Sequence, residues 1–149
     1  MMGTSPSRMR DDVPMRRLVS YLEIPVNNHV MTHPGTYTRV GVTVICTGHN
    51  FVVRGSTPGF GVLGHFSIDG NTPKGWVEVR LSDSNNANVF EVIARAPLEV
   101  LNHPTTLMAL NEFHITQGDI IEVFVDSKQK GDSSSYFYLV CEQLVPAGM

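Results

Sequence analysis

Two late segments of the sequence alternate their side chains with a period of two, a pattern typical of β-strands that bury one face. The first covers residues 117–126 and the second covers residues 135–144. The faces predicted to enter the core consist of Ile121, Val123, Val125, Phe137, Leu139 and Cys141. The polar stretch between the two segments is typical of a turn. The two strands are therefore predicted to pair antiparallel and to close an all-β domain.

The rest of the chain repeats this pattern in short runs that are separated by Gly, Pro and Asn clusters. Residues 37–46 and 76–81 alternate valines most regularly, and Val79 is predicted to be buried. About nine strands result, and no segment combines the length and the period that a helix requires. Many short strands joined by turns predict an antiparallel β-sandwich or a barrel.

The 149 residues predict one domain with an arm and a tail. Residues 1–17 have no hydrophobic period and are predicted to form a flexible N-terminal arm that orders on a partner. Residues 18–145 are the predicted domain, and residues 146–149 are a short C-terminal tail. The arm's basic residues, which we expect to dock onto an acidic protein surface, are Arg8, Arg10, Arg16 and Arg17.

Candidate metal ligands lack a usable spacing. His29 and His33 fall in a loop with no third ligand close in sequence, whereas a metal site needs several ligands at defined distances. Residues 83–88 place oxygen-bearing side chains at alternate positions, but they lack the glycine and the final glutamate of a calcium loop. A plain hairpin turn is favoured there. We expect no metal and no cofactor.

Candidate nucleophiles are equally poor. Cys46 and Cys141 lie in apolar runs and are predicted to be buried, inert free thiols. The serines lie in turn clusters without the Gly-x-Ser-x-Gly pattern of a hydrolase. The sequence therefore predicts no catalytic residues and a protein that is not an enzyme.

The N-terminal residues contain no apolar stretch of signal-peptide length, and no run is long enough to span a membrane. Only two cysteines occur. Synthesis in a reducing cytoplasm, with no membrane partner, is the expectation.

Three short passages follow one another in a familiar order. Residues 34–38 read Pro-Gly-Thr-Tyr-Thr and lead into a valine-rich strand. Residues 105–113 precede a Gln-Gly-Asp turn at 117–119, and residues 136–140 read Tyr-Phe-Tyr-Leu-Val. Over roughly residues 18–145 this order resembles the complement-globular-head and tumour-necrosis-factor-like jelly rolls. The resemblance implies an antiparallel jelly-roll sandwich, a compact homotrimer and a binding or structural role.

Because the sequence lacks the signal sequence and collagen stalk of the secreted members, it looks like a trimeric phage capsid decoration (cement) protein. That resemblance implies a virion location on the capsid surface, with the major capsid protein or another virion protein as the partner. In the resembled family one sheet lines the three-fold axis. The outward residues assigned to that trimer interface are Ile120, Phe124, Tyr136, Tyr138 and Val140. Glu122 and Glu142 share these faces and are expected near a cation such as Arg39 or Arg80.

Two other functions stay open. A receptor- or glycan-binding head of a viral fibre would use the Asn- and Asp-rich loops. A small capsid protein that encloses nucleic acid would use the arginines of the arm. Nucleic acid is the weaker expectation, because the formal net charge is -3 and two aspartates offset half of the arm's arginines.

Overall fold

A computed structural model describes residues 14–48 and 50–146 of the chain. These residues form eleven strands and one short 3-10 helix, Leu98–Asn102. The strands in chain order are β1 (Met15–Ile24), β2 (Val30–Thr32), β3 (Thr38–Val44), β4 (Phe51–Val53), β5 (Gly61–Ile68), β6 (Gly75–Asp83), β7 (Asn86–Pro97), β8 (Thr105–Met108), β9 (Phe113–Ile115), β10 (Asp119–Ser127) and β11 (Gly131–Pro146). Within the described ranges, no helix is long and apolar enough to cross a membrane.

The strands form two antiparallel sheets. One is seven-stranded, in the order β8-β5-β11-β4-β9, and β1 and β2 also pair with β11. The other is four-stranded, in the order β3-β10-β6-β7. The main chain crosses repeatedly from one sheet to the other, and this is the topology of a jelly roll. The predicted all-β, antiparallel jelly-roll sandwich is therefore confirmed.

The core lies between the two sheets and contains the side chains that the alternation assigned to it. Ile121, Val123, Val125, Leu139 and Phe137 are at most 1% exposed, and Val79 is fully buried. The 3-10 helix adds Leu98 and Leu101 to this core. Opposite Phe137, β5 carries Gly64, whose added Cβ would come within 2.3 Å of the Phe137 ring. Gly64 thus provides the space for the largest buried side chain of β11.

Two expectations about the interior are wrong. Cys141 is buried, but Cys46 is exposed, because β3 ends at Val44 and Cys46 lies in the link beyond it. The predicted pairing of the two late strands is also wrong, since β10 belongs to the four-stranded sheet and β11 to the seven-stranded one. The intervening link carries the chain across the sandwich. Its Gln129 carbonyl accepts hydrogen bonds from the hydroxyls of Thr32, at 2.8 Å, and Ser127, at 3.0 Å.

The first strand begins earlier than the sequence pattern indicated. It starts at Met15 rather than at Leu18, and it pairs with β11 over its whole length. Arg16 and Arg17 of the predicted arm are therefore strand residues, opposite Val145 and Leu144. Arg8 and Arg10 lie outside the described residues.

Candidate assembly surfaces

The five residues assigned to a trimer interface lie on two opposite surfaces of the sandwich. Ile120 and Phe124 point outward from β10 in the four-stranded sheet. Tyr136, Tyr138 and Val140 lie on the outer side of β11 in the seven-stranded sheet. Val140, however, is only 3% exposed, because β1 and β5 flank it on either side, so its assignment to an exposed face is wrong. The structure therefore does not bring the five together as one patch, because the two strands are not neighbours. Their participation in a trimer stays a prediction.

The outer surface of the four-stranded sheet, here called the arginine face, is organised around Arg80 of β6. Its guanidinium lies 4.1 Å from the ring centre of Phe124 and 4.4 Å from that of Phe90. A third ring, Tyr37, is at 5.4 Å. A cation over aromatic faces is attracted by the ring quadrupoles. Phe124 is thus already covered by a side chain from the neighbouring strand.

Ion pairs complete the arginine face. Arg80 Nε donates a hydrogen bond of 2.6 Å to Glu78 Oε2, and Arg39 Nη1 donates one of 3.1 Å to Glu122 Oε2. The side chains of Arg80 and Glu78 are only 20% and 12% exposed, so these charges are largely withdrawn from water. Arg95 lies 4.3 Å over the ring of Trp76 and 3.7 Å from Glu78. The expected pairing of Glu122 with Arg39 is confirmed. On this face the glutamates are therefore paired with arginines, and Arg80 lies over the phenylalanine rings.

The outer surface of the seven-stranded sheet, here called the tyrosine face, lacks such a cover. The Tyr136 ring stacks on His65 at 5.7 Å and meets Tyr138 edge to face at 6.1 Å. Tyr21 on β1, 62% exposed, and Met108 on β8, 52% exposed, extend the apolar surface to both sides. Beside it, residues 23–26 and the two tyrosines of β11 line a shallow cavity of about 280 Å³. Exposed rings beside apolar side chains are typical of contact surfaces.

An ion-pair network borders the tyrosine face. Arg54 donates hydrogen bonds of 2.5 Å to Glu142 and 2.6 Å to Glu112. The bond with Glu142, followed by that with Glu112, raises the pKa of Arg54. In turn, the bond from Arg54 lowers the pKa of Glu112. Arg17 Nη1 also approaches Glu142, at 4.0 Å. The cation expected beside Glu142 is therefore Arg54, not Arg39 or Arg80.

The predicted metal candidates hold other roles. The Asp83 carboxylate accepts hydrogen bonds from the backbone N–H groups of Asn85, at 2.9 Å, and Asn86, at 3.0 Å, so this loop is a hairpin turn that Asp83 stabilises. The His29 ring lies 2.8 Å from an Asp132 oxygen. In the part of the chain that the structure describes, no group of three or more His, Cys, Asp or Glu side chains is placed to hold a metal ion.

Three features of these surfaces were not anticipated from the sequence. The stacking of Arg80 depends on Phe90 and Phe124 from two other strands, and the Arg54 network joins residues 58 and 88 positions apart. The exposure of strand β1, which was itself expected from residue 18 onward, is the third. Only β1 had a local signal, since Val19 and Tyr21 alternate with Leu18 and Leu22 and make both of its faces apolar. The other two depend on strand order, which the alternation does not reveal.

Comparisons with known proteins bear on the fold alone. No protein-family model matches the sequence, and no curated protein matches it. Solved structures do share the fold. VP17, a capsid protein of bacteriophage P23-77, matches with a TM-score of 0.55 at 6% identity, over 89% of this chain and 99% of VP17. The VP16–VP17 complex, a complex of the two major capsid proteins of bacteriophage P23-77, matches with a TM-score of 0.58 at 6% identity. That match covers 88% of this chain and 99% of the chain in the complex. At this identity the likeness establishes the jelly-roll fold.

Proposed function

We propose that this chain is a non-enzymatic structural protein of a virus particle and forms part of a capsid. The observation that supports this best is the extent of the match, since nearly the whole jelly roll corresponds to nearly the whole of a phage capsid protein. A structural protein of this kind acts through area burial and charge complementarity at its surfaces. Fold alone does not specify function, so the surfaces carry the rest of the proposal.

In its finer form, the proposal is a homotrimeric decoration protein on the outside of the capsid. The tyrosine face is the better candidate for contact between copies, because among the described residues no cation lies over Tyr136 or Tyr138, whereas Arg80 lies over Phe90 and Phe124 of the arginine face. Exposure alone does not separate the two faces, since Phe90 is 42% exposed and Tyr136 38%. Arg16 and Arg17 precede this face on β1 and offer positive charge to an acidic capsid subunit. A trimer on a three-fold site would bind several shell subunits at once and gain avidity.

A second candidate is a subunit of the shell itself. It is favoured by the names of the structural neighbours, which are capsid proteins and a complex of two major capsid proteins. In that case the partner is a second jelly-roll subunit rather than a completed shell.

Mass spectrometry of purified virus particles tests the structural role directly. We expect this chain at a copy number comparable to that of the main shell protein, and its absence from washed particles would contradict the proposal. Light scattering of the isolated protein then tests the trimer. Wild type is expected at a multiple of three chain masses, and the double variant Tyr136→Glu/Tyr138→Glu at a lower mass. Val44→Glu, an exposed valine on the other sheet, is the matched control and should keep the wild-type mass.

A further inference from the structure

The strand β1 is a long edge of the seven-stranded sheet. Among the described residues, β11 is the one strand that pairs with it, and the register runs without a shift from Met15 opposite Pro146 to Ile24 opposite Phe137. The other side of β1 therefore presents a row of backbone N–H and C=O groups along ten residues.

This edge lacks most of the usual protection against pairing. Edge strands are commonly kept apart by proline, by bulges, by being short or by charged side chains, and of these β1 has only the charged residues Arg16, Arg17 and Glu23. Here the strand contains no proline or bulge, and its central residues are apolar and exposed, with Val19 at 58% and Tyr21 at 62%. An edge of this kind is a template for another strand.

We propose that β1 pairs antiparallel with β1 of a second copy of this chain, across a two-fold axis at Ser20. In this register Arg17 lies opposite Glu23, Leu18 opposite Leu22, and Val19 opposite Tyr21, and each pair occurs twice. An isologous contact requires such self-complementarity, because residue i meets residue j while j meets i. Opposite charges and apolar pairs directly across strands both stabilise a sheet.

The charges select this register. Moving the axis to Val19 would place Glu23 opposite Met15 and Arg17 opposite Tyr21. Moving it to Tyr21 would place Glu23 opposite Val19 and Arg17 opposite Pro25. Of these three axes, only the one at Ser20 places Arg17 opposite Glu23, while Arg16 lies opposite Ile24. Ser20, a small residue whose hydroxyl hydrogen-bonds the Gln143 side chain at 3.2 Å, then occupies the axis.

The dimer would join two seven-stranded sheets into one and place both tyrosine faces on the same side. In a capsid it would supply a two-fold contact beside any three-fold one. The inference does not depend on the capsid role, because the edge and its register belong to the chain alone. A failed mass-spectrometric test of virus particles would leave it standing, and loss of the pairing would leave the capsid role standing.

A charge exchange tests the register by sedimentation equilibrium. Arg17→Glu and Glu23→Arg each place like charges opposite one another twice, and each should weaken association at least about tenfold. The double variant Arg17→Glu/Glu23→Arg restores opposite charges and should regain most of the affinity. Arg17 also approaches Glu142 within its own chain, and the double variant keeps that contact disturbed. Recovery therefore reports on the partner strand, and a double variant as weak as the single ones would overturn the register.

A lysine on the edge tests the interface itself. Val19→Lys should halve the particle mass, while Val44→Lys, at a similarly exposed valine on an edge strand of the other sheet, should leave the mass unchanged. Thermal melting confirms that both variants fold. Equal masses for wild type and Val19→Lys would contradict the proposal.

Cross-linking fixes the geometry. In a Cys46→Ser background, a mixture of Val19→Cys and Tyr21→Cys proteins should form a disulfide-linked dimer. Opposed residues have Cα atoms within about 5.5 Å, inside the range of about 7 Å that a disulfide spans. Neither variant should cross-link alone, and a mixture that does not link would overturn the pairing. If only deletion of residues 1–13 produces the dimer, that segment covers the edge and the second copy is not its occupant.

Discussion

The two outer faces of the sandwich have similar residue patterns in the sequence, but their aromatic rings make different contacts in the structure. Each presents aromatic side chains and one glutamate from a central strand, Phe124 with Glu122 on β10 and Tyr138 with Glu142 on β11. On the arginine face, Arg80 reaches from the adjacent strand and covers the ring of Phe124. On the tyrosine face the rings contact one another and His65, and Tyr136 is 38% exposed.

This difference shows that an apolar outer face does not by itself indicate an interface. What matters is whether a neighbouring strand supplies a group that engages the rings. On the arginine face Phe90 is still 42% exposed, but a partner that covered the rings would have to compete with Arg80 for them and for Glu78. Among the described residues, no cation lies over the rings of the tyrosine face, so a partner there would not have to displace one. Assembly is therefore expected to depend on the tyrosine face, and stability on the arginine face and the core.

The largest effect is expected where β11 faces inward. Phe137→Ala should lower the free energy of unfolding by about 3–5 kcal/mol, because it leaves a cavity beside Gly64 in a close-packed core. Urea denaturation measures the loss. Tyr136→Ala, one residue away on the open face, is the control and should cost less than about 1 kcal/mol. Similar losses for the two variants would mean that the tyrosine face is as tightly packed as the core.

A smaller effect is expected on the arginine face. Arg80→Met keeps much of the side-chain length but removes the cation from the two phenylalanine rings and from Glu78. The loss should be about 1–3 kcal/mol, since the guanidinium is largely withdrawn from water and Glu78 is left without its closest partner. Arg39→Met is the matched control. Arg39 is 52% exposed and should contribute less than about 1 kcal/mol. Equal costs would mean that the stacking of Arg80 on the rings stabilises the arginine face no more than an exposed ion pair does.

Alternation in the sequence was sufficient for the fold class and for the core. Ile121, Val123, Val125, Phe137 and Leu139 were assigned to the interior because a period of two allows only two faces, and the more apolar face must be buried. The prediction that Cys46 is buried was wrong because it extended the strand past the end of β3, into the link that follows.

The alternation of apolar residues did not predict the order of the strands in the sheets. The two late strands are close in sequence and have complementary patterns, so a hairpin was the natural prediction, whereas the link at Gln129 takes the chain to the other sheet. Because of that one error, residues of two opposite surfaces were assigned to a single trimer interface. The two-fold register of β1 is different, because it depends only on the order of Arg17, Ser20 and Glu23 along one strand. It becomes meaningful once the structure shows that β1 is an edge.

The smallest expected effect is an acid-dependent one at the border of the tyrosine face. The hydrogen bond from Arg54 lowers the pKa of Glu112, so the folded state binds a proton there less readily than the unfolded chain. The stabilisation is present above the ordinary glutamate pKa and is lost as the pH falls through the lowered folded value. Melting temperatures measured from pH 6 down to pH 3 should fall more for wild type than for Glu112→Gln, which keeps the shape but does not titrate. Because Glu112 is 47% exposed, the difference should be small and should shrink in high salt. Glu99→Gln, on the 3-10 helix and away from Arg54, is the control and should follow wild type. If wild type and Glu112→Gln lose stability in parallel, the Arg54 network does not stabilise this edge of the face.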